Sequence, residues 1–347
     1  MSLRIKDMES ITGFSLGELE HALAAWGEQV FRAKQIFSWI YKKGVSDFDS
    51  MSDLSSGLRS QLKYNYCLFD IRLVKSVKSK DGTEKFLFAL KDGDLIEAVI
   101  IPTEDRVTAC ISTQVGCKYS CLFCASGLGG FRRNLACSEI IQQILYLYNR
   151  KKLTHIVFMG TGEPLDNYEA VLKAIRLINS KESLNIGARR ITISTSGVIP
   201  GIRKLIKEDL QFELSVSLHS ADEAVRSYLM PLNKIYPLRV LIEACAEYIK
   251  KTGRQITFEY VLIKGLNSDI HSCQKLVALI KDLRLVKVNL IPANPVKECR
   301  IEPPGRMEIQ MFRNHLSKHK IPATLRKSRG GDIEAACGQL RLSYGKK

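Results

Sequence analysis

The sequence predicts an α/β protein built on a partial (β/α)6 barrel, with an N-terminal helical accessory unit and a small antiparallel β meander. Three observations carry this. Beyond Pro102, short β-branched runs alternate with amphipathic helical runs, the pattern of a parallel sheet with helices outside. Between Ile71 and Ile101 the apolar period is that of strands, broken by Asp81-Gly82 and Asp92-Gly93, whose glycines suit the positive φ of tight hairpin turns. Ahead of these the spacing is helical. The expected organisation is an accessory unit over 1–65, the meander over 66–102, and the barrel with its C-terminal loop over 103–347.

In the accessory unit, Leu16, Leu19 and Leu23 share one helical face, and Phe31, Ile36, Phe37, Trp39, Ile40 and Tyr41 crowd a second segment. Arg32, Lys34, Lys42 and Lys43 interleave with those apolar residues. Such a helix either meets nucleic acid with its cations or buries one face and wets the other. The barrel strands are expected at Val107–Ser112, Leu153–Phe158, Ile191–Thr195, Phe212–Leu218, Ile256–Leu262 and Val286–Ile291. Helices between them include Glu139–Tyr148, Val171–Ile178, Val240–Ile249 and Cys273–Leu283. In parallel α/β architectures ligands sit at the C-terminal ends of the strands. The motifs below fall there.

The charge is lopsided: 52 Lys and Arg against 36 Asp and Glu, a formal net charge of +16, which favours a polyanionic partner because each neutralised phosphate releases counterions. Met1–Ser10 lacks the apolar run of a signal peptide and no stretch approaches a membrane span, so a cytoplasmic protein without a membrane role is expected. Ten cysteines in such a chain read as reduced thiols, metal ligands or catalytic groups rather than a disulfide framework. Cys67, Cys245, Cys273 and Cys299 are expected as small buried hydrophobes.

Cys117, Cys121 and Cys124 stand in a C-x3-C-x2-C spacing within Gln114-Val-Gly-Cys-Lys-Tyr-Ser-Cys-Leu-Phe-Cys-Ala-Ser126. Three thiolates can hold three irons of a [4Fe–4S] cubane and leave the fourth open to a substrate. A structural zinc site is the alternative, although it usually takes four ligands in paired C-x2-C or histidine units, and no second pair lies nearby. Gly162-Glu163-Pro164 follows the second strand, Ser194 ends the third, Ser217-Leu218-His219 ends the fourth, and Asn294 follows the sixth. Each of these is either a strand-end residue satisfying local backbone groups or part of one pocket. Cys337 lies in a Gly-flanked loop behind Arg326, Lys327 and Arg329, cations that favour the nucleophilic thiolate.

The cysteine loop, with Phe123 before its last cysteine, resembles the signature of radical S-adenosylmethionine (SAM) enzymes. Phe31-Arg-Ala-Lys-Gln-Ile36, Gly162-Glu-Pro164, Ile193-Ser-Thr-Ser-Gly197, Ser217-Leu-His219, Asn289-Leu-Ile-Pro292 and Asp332-Ile-Glu-Ala-Ala-Cys-Gly-Gln-Leu340 extend the likeness along nearly the whole chain. In that order they resemble the RlmN/Cfr family of radical SAM RNA methyltransferases. The resemblance implies a [4Fe–4S] cluster on Cys117, Cys121 and Cys124. It implies two SAM molecules per turnover, with Gly162, Glu163, Pro164, Ser194, Ser217, Leu218, His219 and Asn294 at the SAM site. Cys337 falls at the cysteine that first accepts a methyl group, Cys110 at the thiol that resolves the protein–RNA adduct through a transient disulfide, and Glu97 at the proton acceptor. The implied substrates are 23S rRNA and tRNA, the 1–65 unit binds RNA, the electron comes from an external flavodoxin-type donor, and a monomer is expected. Within the family one branch methylates adenine carbon 2 and the other carbon 8. Gly-Glu-Pro and the Arg-Lys-Ser-Arg-Gly-Gly-Asp loop resemble the carbon-2 branch, whereas Thr161 in place of a common methionine and Ala293 in place of an aromatic residue depart from its pattern. A non-catalytic RNA-binding protein with a structural metal is the alternative from another class.

Overall fold

The computed structural model describes residues 8–294 and 301–340. Strand β1 (Glu9–Ser10) leads into helix α1 (Leu16–Ala24), which Ser15 opens: its hydroxyl accepts from Glu18 N at 3.2 Å while Glu18 Oε2 accepts from Ser15 N at 2.7 Å. This reciprocal cap satisfies two amides that a helix start otherwise leaves open. Helix α2 (Phe31–Tyr41) buries Ala33, Ile36, Phe37, Ile40 and Tyr41, one face at helical spacing, and leaves Lys42 and Lys43 exposed just beyond its end. Helix α3 (Ser56–Asn65) and strand β2 (Tyr66–Cys67), paired with β1, complete the unit.

Next comes the expected meander: β3 (Arg72–Lys78), β4 (Glu84–Ala89) and β5 (Leu95–Pro102), all antiparallel. Gly82 and Gly93 turn its two hairpins at φ 85° and 88°, as their Asp-Gly pairs require. The meander is not a sheet of its own. β5 pairs antiparallel with the first barrel strand, β6 (Val107–Cys110), so it extends the barrel sheet.

A short hairpin, β7 (Gln114–Gly116) and β8 (Phe131–Asn134), brackets the cysteine loop. Helix α4 (Cys137–Arg150) and strand β9 (His155–Phe158) then begin an alternation with two helices in its middle unit: α5 (Tyr168–Asn179), β10 (Ile191–Thr195), α6 (Ile199–Leu205), β11 (Glu213–Ser217), α7 (Glu223–Leu229), α8 (Leu238–Thr252), β12 (Ile256–Leu262), α9 (Ile270–Ile280), β13 (Val286–Pro292), α10 (Arg306–Lys318) and β14 (Ala323–Leu325). The parallel strands lie in chain order, β6-β9-β10-β11-β12-β13-β14, and β14 does not pair with β6. The six expected barrel strands are therefore present, some a residue or two shorter. A seventh, β14, is too short to announce itself in the sequence.

The accessory unit docks on α4 through a buried polar staple. Gln142 Oε1 accepts from Asp70 N (2.9 Å) and Ile71 N (3.1 Å), while its Nε2 donates to Ser10 Oγ (2.8 Å) and Thr12 Oγ1 (3.2 Å). Cys245 and Cys273 are buried, as expected. Cys67 is instead half-buried, on a two-residue strand with little to cover it, and Cys299 lies outside the described residues. Among the described residues no helix is long and apolar enough to cross a membrane.

Replacing Gln142 with leucine leaves two backbone N–H groups and two hydroxyls short of partners. At about 1–3 kcal/mol per orphaned buried group, with partial relaxation, Gln142→Leu should cost roughly 2–4 kcal/mol. A urea midpoint lowered at constant m-value is the expected reading. An unchanged midpoint would show that the staple contributes nothing net.

Candidate active site

The strand ends converge on a cavity of about 160 Å³, whose wall contains Cys117, Cys121, Cys124, Gly162, Glu163, Ser194, Ser217, His219, Asn294 and Cys337. The structure thus brings together most of the residues singled out in the sequence. Pro164 starts a short helical turn behind the wall and Leu218 is buried in the core, so neither side chain lines the cavity. A second cavity of about 790 Å³ fills the barrel lumen, and Cys110 lines it. Cys337 stands in the wall of both.

Local geometry explains these positions. Gly162 adopts φ 104°, and a Cβ there would lie 2.5 Å from Gln114 Cβ; only glycine lets the Gly-Glu turn press onto the cysteine hairpin. Gln114 Oε1 then accepts from Glu163 N at 2.8 Å. The Glu163 carboxylate is fully engaged: Oε1 accepts from Leu165 N (3.0 Å), Oε2 from Ser196 N (2.7 Å) and Ser196 Oγ (2.6 Å). Burial pushes its pKa up, and these donors pull against that shift. The Ser194-Thr-Ser-Gly197 stretch was legible, but not that Ser196 holds the glutamate.

His219 sits at φ 57°, buried, its Nδ1 accepting from Val261 N at 3.0 Å and its ring edge-on to Phe123 at 4.5 Å. Burial lowers its pKa to about 3, with Arg226 adding, so the ring is neutral with Nε2 as its donor. Arg226 itself was missed. This fully buried cation donates to Leu218 O (3.2 Å), Ser217 O (3.2 Å), Ser196 O (3.1 Å) and the Asn233 side chain, bracing the ends of β10 and β11; burial lowers its pKa to about 10. A lone arginine in Ala224-Val-Arg-Ser227 carries no sequence signal of burial.

Cys337 is held by its neighbours. Asn294 Nδ2 donates to Cys337 O (3.1 Å) and Asn294 Oδ1 accepts from Ser328 Oγ (2.6 Å), so both ends of that amide are occupied by the C-terminal loop. Gly338, at φ 81°, lets the loop lie on the cysteine loop, where a Cβ would meet Phe123 O at 2.6 Å; Ala125 N donates to Gly338 O at 2.7 Å. Cys110 ends β6 and packs with Val99, Ala335 and Leu340. Burial pushes its thiol up to about 12, nearby Cys337 adds to the shift, and Arg326 opposes it. Glu97, on β5, is buried and pairs with Lys85 Nζ at 3.1 Å; it lines neither cavity.

The three loop cysteines fit an iron–sulfur cluster. Burial pushes Cys117 up to about 12 and Cys121 well above its ordinary value, and the neighbouring thiols add to both shifts. Ionising them together needs a cationic centre at that wall, which an iron–sulfur cluster would supply.

Comparison with known proteins fits this geometry. Residues 111–276 match the Radical SAM superfamily, and residues 10–68 match the ribosomal RNA large subunit methyltransferase N-terminal domain. The "Probable dual-specificity RNA methyltransferase RlmN" of Clostridium novyi is 43% identical over 340 residues, covering 97% of this chain and 99% of the relative. That of Staphylococcus aureus is 45% identical over 340 residues, covering 96% and 93%. The chain belongs to the RlmN family of radical SAM RNA methyltransferases. A radical SAM methyltransferase from Sphaerobacter thermophilus, 44% identical, superposes with a TM-score of 0.93 over 96% of this chain and 99% of its own. RlmN-family membership brings with it a [4Fe–4S] cluster and the use of SAM.

His219 offers a test of the site's electrostatics. Its folded pKa, about 3, lies below the ordinary histidine value of 6.5, so the unfolded chain binds the extra proton between those values. Stability contributed by this group is complete above pH 6.5 and is lost as pH falls toward 3, amounting to a few kcal/mol at the acid end. His219→Asn keeps an acceptor at the Nδ1 position and tolerates positive φ. Urea titrations between pH 7 and 4.5 should show a flatter decline for His219→Asn than for the parent; parallel declines would show that His219 is protonated in the folded state.

Proposed function

We propose that this enzyme methylates carbon 2 of an adenosine in the peptidyl transferase centre of 23S rRNA and of the adenosine 3′ of the anticodon in tRNA, in the cytoplasm, by way of a methyl group carried on Cys337. The position of Cys337 in the wall common to both cavities supports this most directly: the smaller holds the cluster cysteines, the larger holds Cys110. The dual-specificity names of the relatives support two RNA classes.

In this reading Cys337 Sγ takes the methyl group of one SAM, with S-adenosylhomocysteine as the leaving group; the Arg326 guanidinium, whose largest electrostatic influence is Cys337, stands beside it. Cys117, Cys121 and Cys124 would hold the [4Fe–4S] cluster, which with a second SAM and one electron from an external flavodoxin-type donor would supply hydrogen-atom abstraction. The methyl group on Cys337 loses one hydrogen atom to that chemistry and its carbon bonds adenine carbon 2. An amidine carbon is electrophilic, so this route replaces direct displacement. Glu97, with Lys85 as counter-charge, takes the ring proton, and the odd electron of the adduct would pass back to the cluster. Cys110 then attacks the Cys337 sulfur; the sulfur–carbon bond breaks, the carbon takes up a proton to become the methyl group, and methylated RNA leaves as the disulfide forms. Gly162, Glu163, Ser194, Ser217, His219 and Asn294 form the SAM pocket.

Cys110→Ala should form the adduct and be unable to release it. Denaturing gels of that variant expressed with cellular RNA should show a nuclease-sensitive, slowly migrating species, absent from Cys110→Ala/Cys337→Ala. Cys337→Ala should keep its iron and sulfide yet methylate no RNA, whereas Cys117→Ala, Cys121→Ala or Cys124→Ala should lose the visible cluster absorption. Mass spectrometry of rRNA and tRNA from a deletion strain should show 2-methyladenosine missing at both sites and restored by the gene. Restoration of 8-methyladenosine instead would reassign the reaction.

A further inference from the structure

The barrel lumen is polar where a closed barrel would be filled by apolar side chains. Thr108, Thr192, Thr257, Glu259, Lys287 and Asn289 face it, while their strand neighbours Ile191, Ile193, Ile256, Phe258, Val286 and Val288 are buried against the helices. Because the strands are parallel, the residues at their starts share one mouth. Arg106 precedes β6, Arg189 precedes β10 and Lys287 is the second residue of β13; Lys327 and Arg329 follow β14 beside the open seam. Glu213 and Glu259 are, among the described residues, the carboxylates that oppose them in the cavity wall.

Among the described residues, none of these five cations stands in an ion pair. Arg189 instead donates to the Gln211 amide, at 3.2 and 2.8 Å. His155, at the same mouth, has its pKa lowered by burial and then by Arg106 and Arg190, as a positive local field requires. These cations outnumber the carboxylates of the same cavity wall, and the net positive field they leave at the mouth marks a site for an external polyanion.

At ~3.3 Å per residue, the four steps from Lys287 to Ile291 span roughly 13 Å, from the mouth to the level where the lumen meets the smaller cavity. We propose that the target RNA docks at this N-terminal mouth, with Arg106, Arg189 and Lys287 gripping phosphates beside the target nucleotide, whose base is extruded along the polar lumen toward Cys110 and Cys337. This rests on the reading of Cys337 as the methyl carrier. It assigns the RNA backbone to the face opposite the cluster, so that the strand stays outside while one unstacked base enters.

The test compares the full-length protein with Arg106→Ala/Arg189→Ala/Lys287→Ala and with Lys42→Ala/Lys43→Ala, using an anticodon stem–loop RNA carrying the target adenosine. For the mouth variant, affinity should fall at least tenfold, and the log–log salt slope should become shallower by about 2, at ~0.7 per single-strand phosphate contact released. Arg106→Lys/Arg189→Lys should retain most of the affinity. Unchanged affinity and slope in the alanine variant, or loss confined to Lys42→Ala/Lys43→Ala, would overturn the proposal. Methyl occupancy of Cys337, read by mass spectrometry after incubation with SAM, should be equal in parent and mouth variant. If the parent's Cys337 carries no methyl group, the carrier reading fails, while the affinity arm still decides the mouth.

Discussion

The seam between β14 and β6 is the constraint on which the site depends. There, among the described residues, β14 leaves its outer edge unpaired while β6 pairs with β5, and the 330–340 loop crosses the gap, packing Ala335 and Leu340 on Val99 and Cys110, with contacts to three separate parts of the chain. Asp332 accepts from Ser79 Oγ at 2.6 Å and Lys80 N at 3.3 Å, Gly330 N donates to Asp81 at 2.9 Å, and Ser126 Oγ donates to Leu340 O at 3.0 Å. The meander thus anchors one end of the loop and the cysteine hairpin the other, with Asn294 holding Cys337 O between them. Cys337 is held through its backbone carbonyl by Asn294, while its neighbours on either side are tied down.

The two cavities differ in character for a physical reason. The smaller is walled by Phe123, Met159, Met230, Val261 and Ile291, with Arg326 as its one charged base; such a wall excludes water from reactive species and strengthens the few polar contacts inside. The larger is lined by hydroxyls, amides and charged groups that can solvate an entering polar ring. Glu259 lies at the junction, accepting from Asn289 Nδ2 at 2.8 Å. Burial raises its pKa while Arg326 and Lys287 offset that shift. One wall therefore separates a mainly apolar compartment from a polar one, and Cys337 belongs to both.

Local chemistry was legible in the sequence wherever it was encoded by adjacent residues. The C-x3-C-x2-C spacing, the Asp-Gly hairpins and the motifs at strand ends all rest on short-range rules, and the structure brings the cysteines and the strand-end motifs to one cavity. What the sequence hid depends on tertiary contact. Fusion of the meander with the barrel sheet is set by the β5–β6 pairing, not by any local signal. Burial of Arg226 arises only when β10 and β11 stand side by side, and the engagement of Glu163 by Ser196 only when β9 and β10 do. The polar lumen was partly written in the sequence, since Ile256-Thr-Phe-Glu-Tyr260 and Val286-Lys-Val-Asn-Leu290 alternate with strand period. The alternation gives two faces, and only the barrel decides that the polar one points inward.

Lys85 joins these levels. Its ammonium lies 3.1 Å from Glu97 Oε1 and donates to Glu334 O at 3.0 Å, so one buried cation serves both the proposed proton acceptor and the loop that carries Cys337. Glu334 takes a left-handed conformation, φ 52°, unusual for a non-glycine residue and sustained here by contacts such as this one. The counter-charge of the proposed acceptor and the position of the loop that carries Cys337 are thereby tied to the same ammonium. A buried ion pair whose desolvation cost must be offset by further hydrogen bonds is retained because one of those bonds comes from the loop itself.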